Sequence, residues 1–231
     1  MLKINADKDA LKRMAICIKC PNLIPYVKIC KICKCVMPMK VRLKEMICPE
    51  KKMVTTSNKN YINIFDSVIT EKDCKDLIKK YKKISKKEKR KFLNYSYVDI
   101  DINQFPHNKK IFECIEKYKE DHPEINRTPS YWGLTNLRFK FWKKGECFND
   151  FHSEHGFIFP NRILSLQIYL TNHNCGTEFY DKNVIKSKAG RFCLFPAYFT
   201  HTHKGQADLK KDRCIITGYF EFIKPGEKEG L

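Results

Sequence analysis

At 231 residues the chain is long enough for one full catalytic domain plus a small appended module. Its 42% hydrophobic and 13% aromatic content supports a packed core and excludes generic disorder, and nothing in it forms a run of about 18 apolar residues that would cross a membrane as a helix. The formal net charge is +19, which fits either a polyanionic partner such as nucleic acid or a lysine-rich solvated surface, because a charge run alone carries no base-reading chemistry.

The charge is unevenly spread. Residues 1–60 hold 14 Lys/Arg against 4 Asp/Glu, and the stretch Lys79 to Lys91 carries nine basic residues against the single acid Glu88. The opening MLKINADKDALKRM has no apolar stretch of the length a secretion signal needs. The twelve cysteines are therefore expected reduced, as metal ligands or buried thiols, in a cytoplasmic setting.

Residues 11–53 hold six of those cysteines and no glycine. Cys17-Ile18-Lys19-Cys20 and Cys30-Lys31-Ile32-Cys33 form two C-x-x-C pairs nine residues apart, with Cys35 and Cys48 following. Each pair can clasp one edge of a metal, and two pairs complete a tetrahedral thiolate site for zinc. About 40 residues with so little apolar content cannot fold on burial alone, so the metal would be structural. The expected ligands are Cys17, Cys20, Cys30 and Cys33, with Cys35 or Cys48 as substitutes within the second pair. Residues 54–60 read as a polar linker.

From Tyr61 the texture changes. Tyr61 to Phe65 alternates like a strand. Thr70 then caps a helix whose third position carries an acid, and Ile69, Leu77, Ile78 and Tyr81 form its apolar stripe. A second helix is predicted near Lys109 to Tyr118, before the breaker His122-Pro123. Beyond Trp132 the pattern is one of short strands, at Leu137–Trp142, Ile163–Leu170, Thr177–Tyr180, Arg191–Phe195 and Cys214–Phe222. Turn residues separate them, as expected of a jelly roll or related barrel.

Within these strands His152 and Glu154 stand two apart, which in a strand places both on one face roughly 7 Å apart. The phrase Leu194 to His203 adds His201 and His203, of equal parity, between which spacing does not choose. Two imidazoles and a carboxylate are the set that holds non-haem Fe(II) on one face and leaves the other positions open. Cys147, Cys175, Cys193 and Cys214 read as small buried residues.

Six motifs in order carry a family resemblance over roughly Tyr61 to Phe222. They are the segment Trp142 to Glu154 with its Gly145 turn, the strand Ile163 to Leu170, Gly176-Thr177-Glu178-Phe179, Gly190 to Pro196, His203, and Arg213 to Tyr219. The chain resembles the prolyl-4-hydroxylase-like 2-oxoglutarate/Fe(II) dioxygenases of phage and viral type. The resemblance implies an α+β fold, a double-stranded β-helix (jelly roll) over residues 61–224 with flanking N-terminal helices. It assigns iron to His152, Glu154 and His203, the distal carboxylate of 2-oxoglutarate to Arg213, assistance from the Tyr169 hydroxyl, and to Trp142 a position where many relatives have Tyr. Glu154 replaces the commoner Asp. Ascorbate is the implied reductant, and a peptidyl proline or another protein side chain the implied substrate. Residues 11–53 are similar to a zinc-ribbon-like module of phage proteins, with Lys34 where that module has Gly. Two rival readings stand beside this one. The first is a zinc-ribbon nucleic-acid-binding protein with a non-catalytic jelly roll, and the second an oxygenase acting on nucleic acid. If viral, the chain would work in the host cytoplasm.

Overall fold

A computed structural model of the chain describes residues 8–24, 26–27, 29–31, 36, 60–87, 94–128 and 130–223. It divides into two compact units, Met1–Asn60 and Tyr61–Leu231.

The first unit contains a helix, α1 (Lys8–Ile18), and an antiparallel pair, β1 (Leu23–Ile24) with β2 (Ile29–Cys30). The cysteine spacing had given no sign of the helix. Buried Cys17 lies on its last turn, and the Cys20 N–H donates to the Cys17 carbonyl at 3.1 Å. Cys30 ends β2, and neither it nor the other two forms a disulfide. Cys33, Cys35 and Cys48, with most of the 54–60 linker, lie outside the described residues.

In the second unit the two predicted helices form as α2 (Glu71–Ile84) and α3 (Asn108–Asp121). Thr70 and Asp73 close a reciprocal capping box: the Asp73 N–H donates to Thr70 Oγ1 at 3.1 Å and the Thr70 N–H to Asp73 Oδ2 at 2.9 Å. This satisfies two amides that the first helical turn leaves without partners. The buried face of α2 is Cys74, Leu77 and Tyr81, at the i, i+3, i+7 spacing of one helical stripe. Its lysines 79, 80, 82 and 83 are exposed. The α3 helix buries Ile111, Cys114, Ile115 and Tyr118 and stops before Pro123.

The strands are β3 (Asn63–Phe65), β4 (Lys86–Lys87), β5 (Ser96–Ile100), β6 (Trp132–Trp142), β7 (Arg162–Tyr169), β8 (Gly176–Phe179), β9 (Val184–Lys186), β10 (Phe192–Pro196), β11 (His203–Gly205) and β12 (Arg213–Phe222). A seven-stranded antiparallel sheet has the order β3-β10-β7-β12-β6-β5-β4, and a smaller one the order β11-β8-β9. Successive side chains on a strand face opposite ways, and this parity divides the core in two. Leu137, Phe139 and Phe141, Leu164, Leu166 and Ile168, and Ile216 and Phe220 pack with the helices. Trp142, Tyr169, Cys193, Phe195 and Ile215 pack instead with Phe179 and Ile185 of the small sheet. Each such buried side chain contributes about 1.5–3 kcal/mol. Gly190 makes the turn into β10 at φ +80, where an added Cβ would collide with the Ile69 carbonyl. Only glycine fits there without strain.

Candidate active site

The second face of the large sheet carries the chemistry. Register places Arg213 opposite Trp142, Thr217 opposite Arg138 and Gln167, and Tyr219 opposite Asn136. Parity then directs Asn136, Arg138, Lys140 and Trp142 of β6, and Arg213, Ile215, Thr217 and Tyr219 of β12, into one cavity of about 370 Å³. The residues His152, Glu154 and His203 line the same cavity.

The two histidines face each other as a hydrogen-bonded antiparallel pair: the His152 N–H donates to the His203 carbonyl at 3.0 Å and the His203 N–H to the His152 carbonyl at 2.9 Å. Glu154 is pinned through its N–H to the Ala197 carbonyl at 3.0 Å. Glu154 Oε1 lies 3.6 Å from His152 Nε2 and 3.8 Å from His203 Nε2, and the three ligand atoms all fall within 4.8 Å of one another. That spacing suits ligands about 2 Å from one shared ion. Each imidazole also turns its Nδ1 onto a carbonyl at 2.9 Å, His152 onto Asp150 and His203 onto His201. A carbonyl only accepts, so Nδ1 must carry the proton and Nε2 keeps its lone pair for the centre. His201 lies in a short 3₁₀ turn with its Nδ1 on Thr200 Oγ1, and its carbonyl serves His203.

Electrostatics favour the same protonation states. Burial pushes His203 down to about 4, with help from the charges of His152 and Lys140, so the ring is neutral at pH 7. Burial raises the Glu154 carboxyl, but the neighbouring His152 ring and the Lys140 charge outweigh it and hold the group ionised well below the usual range. Arg162 acts on the other oxygen. Its Nη1 donates to Glu154 Oε2 at 3.3 Å, its Nε to Glu221 Oε1 at 3.2 Å, and its guanidinium sits between the Phe159 and Tyr219 rings at 3.6 and 3.5 Å from their centroids. A longer side chain than Asp has one more torsion to fix, and Arg162 fixes it.

Arg213 lines the same cavity and is 3% exposed. Its Nη1 donates to the Gln206 carbonyl at 2.9 Å, while Nε has no partner. Trp142 Nε1 and Thr217 Oγ1, which line the same space, are also buried without a partner. Buried polar groups are rarely left so. Arg213 and Trp142 stand opposite each other on paired strands, so two free donors lie side by side in a setting that suits an anion. Tyr169 stands behind this wall, fully buried, with its hydroxyl 2.9 Å from Gln167 Oε1 and 2.8 Å from Thr177 Oγ1. Thr177 donates to Gln167 Oε1 at 2.6 Å. The hydroxyl thus reaches the cavity through Gln167 and Thr177, which line it, and makes no hydrogen bond to Arg213.

No protein-family model matches the sequence, and no curated protein does. Solved structures match with probability 1.00. The viral collagen prolyl hydroxylase of Paramecium bursaria Chlorella virus-1, in its 2-oxoglutarate complex, is similar with a TM-score of 0.54 and 17% identity, over 73% of this chain and 99% of that one. A Pseudomonas putida prolyl-4-hydroxylase gives 0.55 and 12%, over 71% and 94%. A Trichoplax adhaerens prolyl hydroxylase in complex with a hypoxia-inducible-factor peptide gives 0.53 and 14%, over 71% and 85%. At such identities the likeness establishes the fold, the jelly roll of the 2-oxoglutarate/Fe(II) oxygenases. These structural neighbours are enzymes of that family.

The structure therefore brings His152, Glu154, His203, Arg213 and Trp142 to one cavity, with Tyr169 immediately behind it. Sequence reading missed Arg162, Lys140, Gln167 and Thr217. Counting by twos from Trp142 along β6, and from Arg213 along β12, would have found Lys140 and Thr217. Arg162 gave no signal, because a basic residue eight positions after Glu154, with its second partner Glu221 59 positions away, matches no local motif. Of the basic run, lysines 79, 80, 82, 83, 86 and 87 are exposed, and residues 88–93 lie outside the described set. Among the described residues no helix is long and apolar enough to cross a membrane.

Proposed function

We propose that the chain is an Fe(II)- and 2-oxoglutarate-dependent dioxygenase that hydroxylates a protein side chain, peptidyl proline first among the candidates. The observation that carries this reading is one cavity lined both by an imidazole–carboxylate–imidazole trio and by buried Arg213 with its unpartnered Nε. His152, Glu154 and His203 would hold the iron, and Arg213 would take the distal carboxylate of 2-oxoglutarate in a charge-assisted pair. When bound, the iron and its co-substrate supply the oxidation of an unactivated C–H bond by dioxygen, with release of succinate and carbon dioxide.

The remaining work falls to the protein. The backbone pair between residues 152 and 203 fixes the angle between the two imidazoles. Carbonyl contacts at both Nδ1 atoms fix their tautomer, and Arg162 fixes the carboxylate. Trp142 and Thr217 offer donors to the bound dianion, while Phe148 packs edge-on against His152 at 4.3 Å between centroids and steadies that ring. His152, whose side chain is 29% exposed against 3% for His203, stands on the open side where substrate would enter. Ascorbate is the proposed external reductant. In the N-terminal unit we assign zinc to Cys17, Cys20, Cys30 and Cys33, with Cys35 or Cys48 as substitutes. The prolyl hydroxylases among the similar structures support a peptide rather than nucleic acid in the cavity.

Anaerobic titration tests the site. Full-length protein loaded with Fe(II) should develop the visible absorption of an iron–2-oxoglutarate chelate, and His152→Ala should remove it. An unchanged spectrum in the loaded wild-type chain contradicts the assignment.

A further inference from the structure

Two loops meet beside Arg213: the turn 170–175 between β7 and β8, and the loop 206–212 between β11 and β12. Where they meet, His173, Cys175 and Asp208 each present a ligand atom, and the three atoms lie within 4.8 Å of one another. The reaction proposed above uses none of them. His173's side chain is 1% exposed, and its Nδ1 lies 2.7 Å from Asp208 Oδ2. Its Nε2 lies 2.8 Å from Thr171 Oγ1. Asp208 Oδ1 accepts the N–H groups of Lys210 at 2.7 Å and Lys211 at 3.0 Å. The His173 N–H donates to the Ser187 carbonyl and the Ser187 N–H to the Cys175 carbonyl, both at 2.9 Å, so one residue of the neighbouring loop holds positions 173 and 175 together.

We propose that His173, Cys175 and Asp208 form a second metal site, distinct from the His152/Glu154/His203 trio, that takes a thiophilic divalent ion of the zinc class. The donor chemistry carries the choice of ion. A thiolate with an imidazole and one carboxylate suits zinc, whereas magnesium and calcium call for oxygen ligands throughout. The supporting contacts have the pattern that orients metal ligands: Thr171 on the far nitrogen of the imidazole, and two backbone N–H groups on the far oxygen of the carboxylate. Without metal, a proton bridges His173 and Asp208. On binding, the His173 proton moves from Nδ1 to Nε2, where Thr171 Oγ1 can accept it, the Cys175 thiol proton passes to solvent, and the carboxylate turns slightly to widen the 2.7 Å gap for the ion. Affinity therefore rises with pH. Three protein ligands leave a fourth position for water.

The site has a consequence for the cavity. Gln206, whose carbonyl accepts from Arg213 Nη1, is tied to the same turn: its N–H donates to the Gly176 carbonyl at 2.9 Å and its Oε1 accepts the Gly176 N–H at 3.1 Å. An ion joining residue 208 to residues 173 and 175 would stiffen the frame that holds Arg213. The proposal does not rest on the dioxygenase reading and would survive its failure.

Site-resolved thiol alkylation tests it in the full-length, reduced, chelator-stripped chain. Zinc should slow iodoacetamide labelling of Cys175 at least tenfold, read by peptide mass spectrometry, while magnesium should not. Cys147, half-buried in the same unit but outside the trio, is the internal control and should change little. His173→Gln and Asp208→Asn should each abolish the protection, and His152→Ala should retain it. An equal labelling rate with and without zinc, or full protection in Asp208→Asn, overturns the proposal. If burial alone keeps Cys175 unlabelled in both states, cobalt(II) replaces the readout. The thiolate-to-cobalt absorption of the wild-type chain should then exceed that of Cys175→Ser by one thiolate's share, and superimposable spectra overturn the site.

Discussion

Replacing Arg213 with Met separates a ligand-binding cation from a structural one, because the two roles predict opposite effects on the fold. Arg213 is 3% exposed, makes one side-chain hydrogen bond, to the Gln206 carbonyl at 2.9 Å, leaves Nε without a partner, and pairs with no carboxylate among the described residues. In the ligand-free protein, Met removes a hydrogen bond worth about 1 kcal/mol. It also removes an unpaired buried cation whose desolvation costs several kcal/mol. The ligand-free variant should therefore be at least as stable as the wild type in urea. Binding should move the other way. A desolvated charge pair to a carboxylate is worth about 2–5 kcal/mol, so the Kd for 2-oxoglutarate should rise about 30-fold to several thousand-fold at 1.4 kcal/mol per decade. Arg213→Lys should recover part of this, keeping the charge but not the planar fork. Calorimetric titration of 2-oxoglutarate into Mn(II)-loaded protein supplies one number and urea denaturation of metal-free protein the other. A variant that binds within threefold of wild type yet loses stability would refute the reasoning, for it would make Arg213 a scaffold residue.

Three further outcomes follow from the same geometry. His203→Ala should abolish Fe(II) binding in an anaerobic dialysis assay and His201→Ala should leave it largely intact, since His201 supports the site through its carbonyl; the reverse order would move the distal ligand. Arg162→Ala should lower the stability of metal-free protein by about 3–5 kcal/mol in urea, because it strands the carboxylate of Glu154 where both side chains are 11% exposed. Arg162→Lys should recover only part of that, having no plane to lie between Phe159 and Tyr219, and a loss under 1 kcal/mol for Arg162→Ala would show the pair to be incidental. The metal-free protein should also weaken in mild acid. His203 is held at about 4 against 6.5 in the free side chain, so the unfolded chain binds the extra proton first; stability is complete above about pH 6.5 and is lost as pH falls toward 4, by about 3 kcal/mol in all. His203→Gln should flatten that slope, and an unchanged slope would assign it elsewhere.

Much of this architecture is legible from local pattern. The capping box at Thr70 and Asp73 marks the start of α2 to the residue, and His122-Pro123 marks the end of α3. The aromatic and β-branched runs that became β6, β7, β10 and β12 lie in the large sheet, where burial on both faces makes the signal strong. The strands that escaped notice are short or carry charge. Val184–Lys186 has one buried residue, Ile185, between two exposed ones, and His203–Gly205 is a strand only because it pairs with β8. The helix Lys8–Ile18 was hidden behind the cysteine spacing. At the site, the His-x-Glu pair and Arg213 could be found because each belongs to a local phrase. Spacing could not choose His203 over His201, since both have the same parity; the backbone pair with His152 brings His203, and not His201, into the trio with Glu154. Gln167 and Thr217 gain meaning only from register, which pairs them across 50 positions, and Arg162 only from a fold that turns it back onto Glu154.

The central claim is that this cavity consumes 2-oxoglutarate with dioxygen. The direct measurement is mass-spectrometric quantification of succinate from full-length protein given Fe(II), ascorbate, oxygen and 2-oxoglutarate, with proline-containing peptides supplied as acceptors. The account predicts slow succinate formation without acceptor and faster formation with a suitable peptide, which gains one oxygen atom. It also predicts near-complete loss in Glu154→Ala and a sharply raised 2-oxoglutarate requirement in Arg213→Ala. Iron-loaded wild-type protein that forms no succinate under any of these conditions, or variants that form it at the wild-type rate, would contradict the claim.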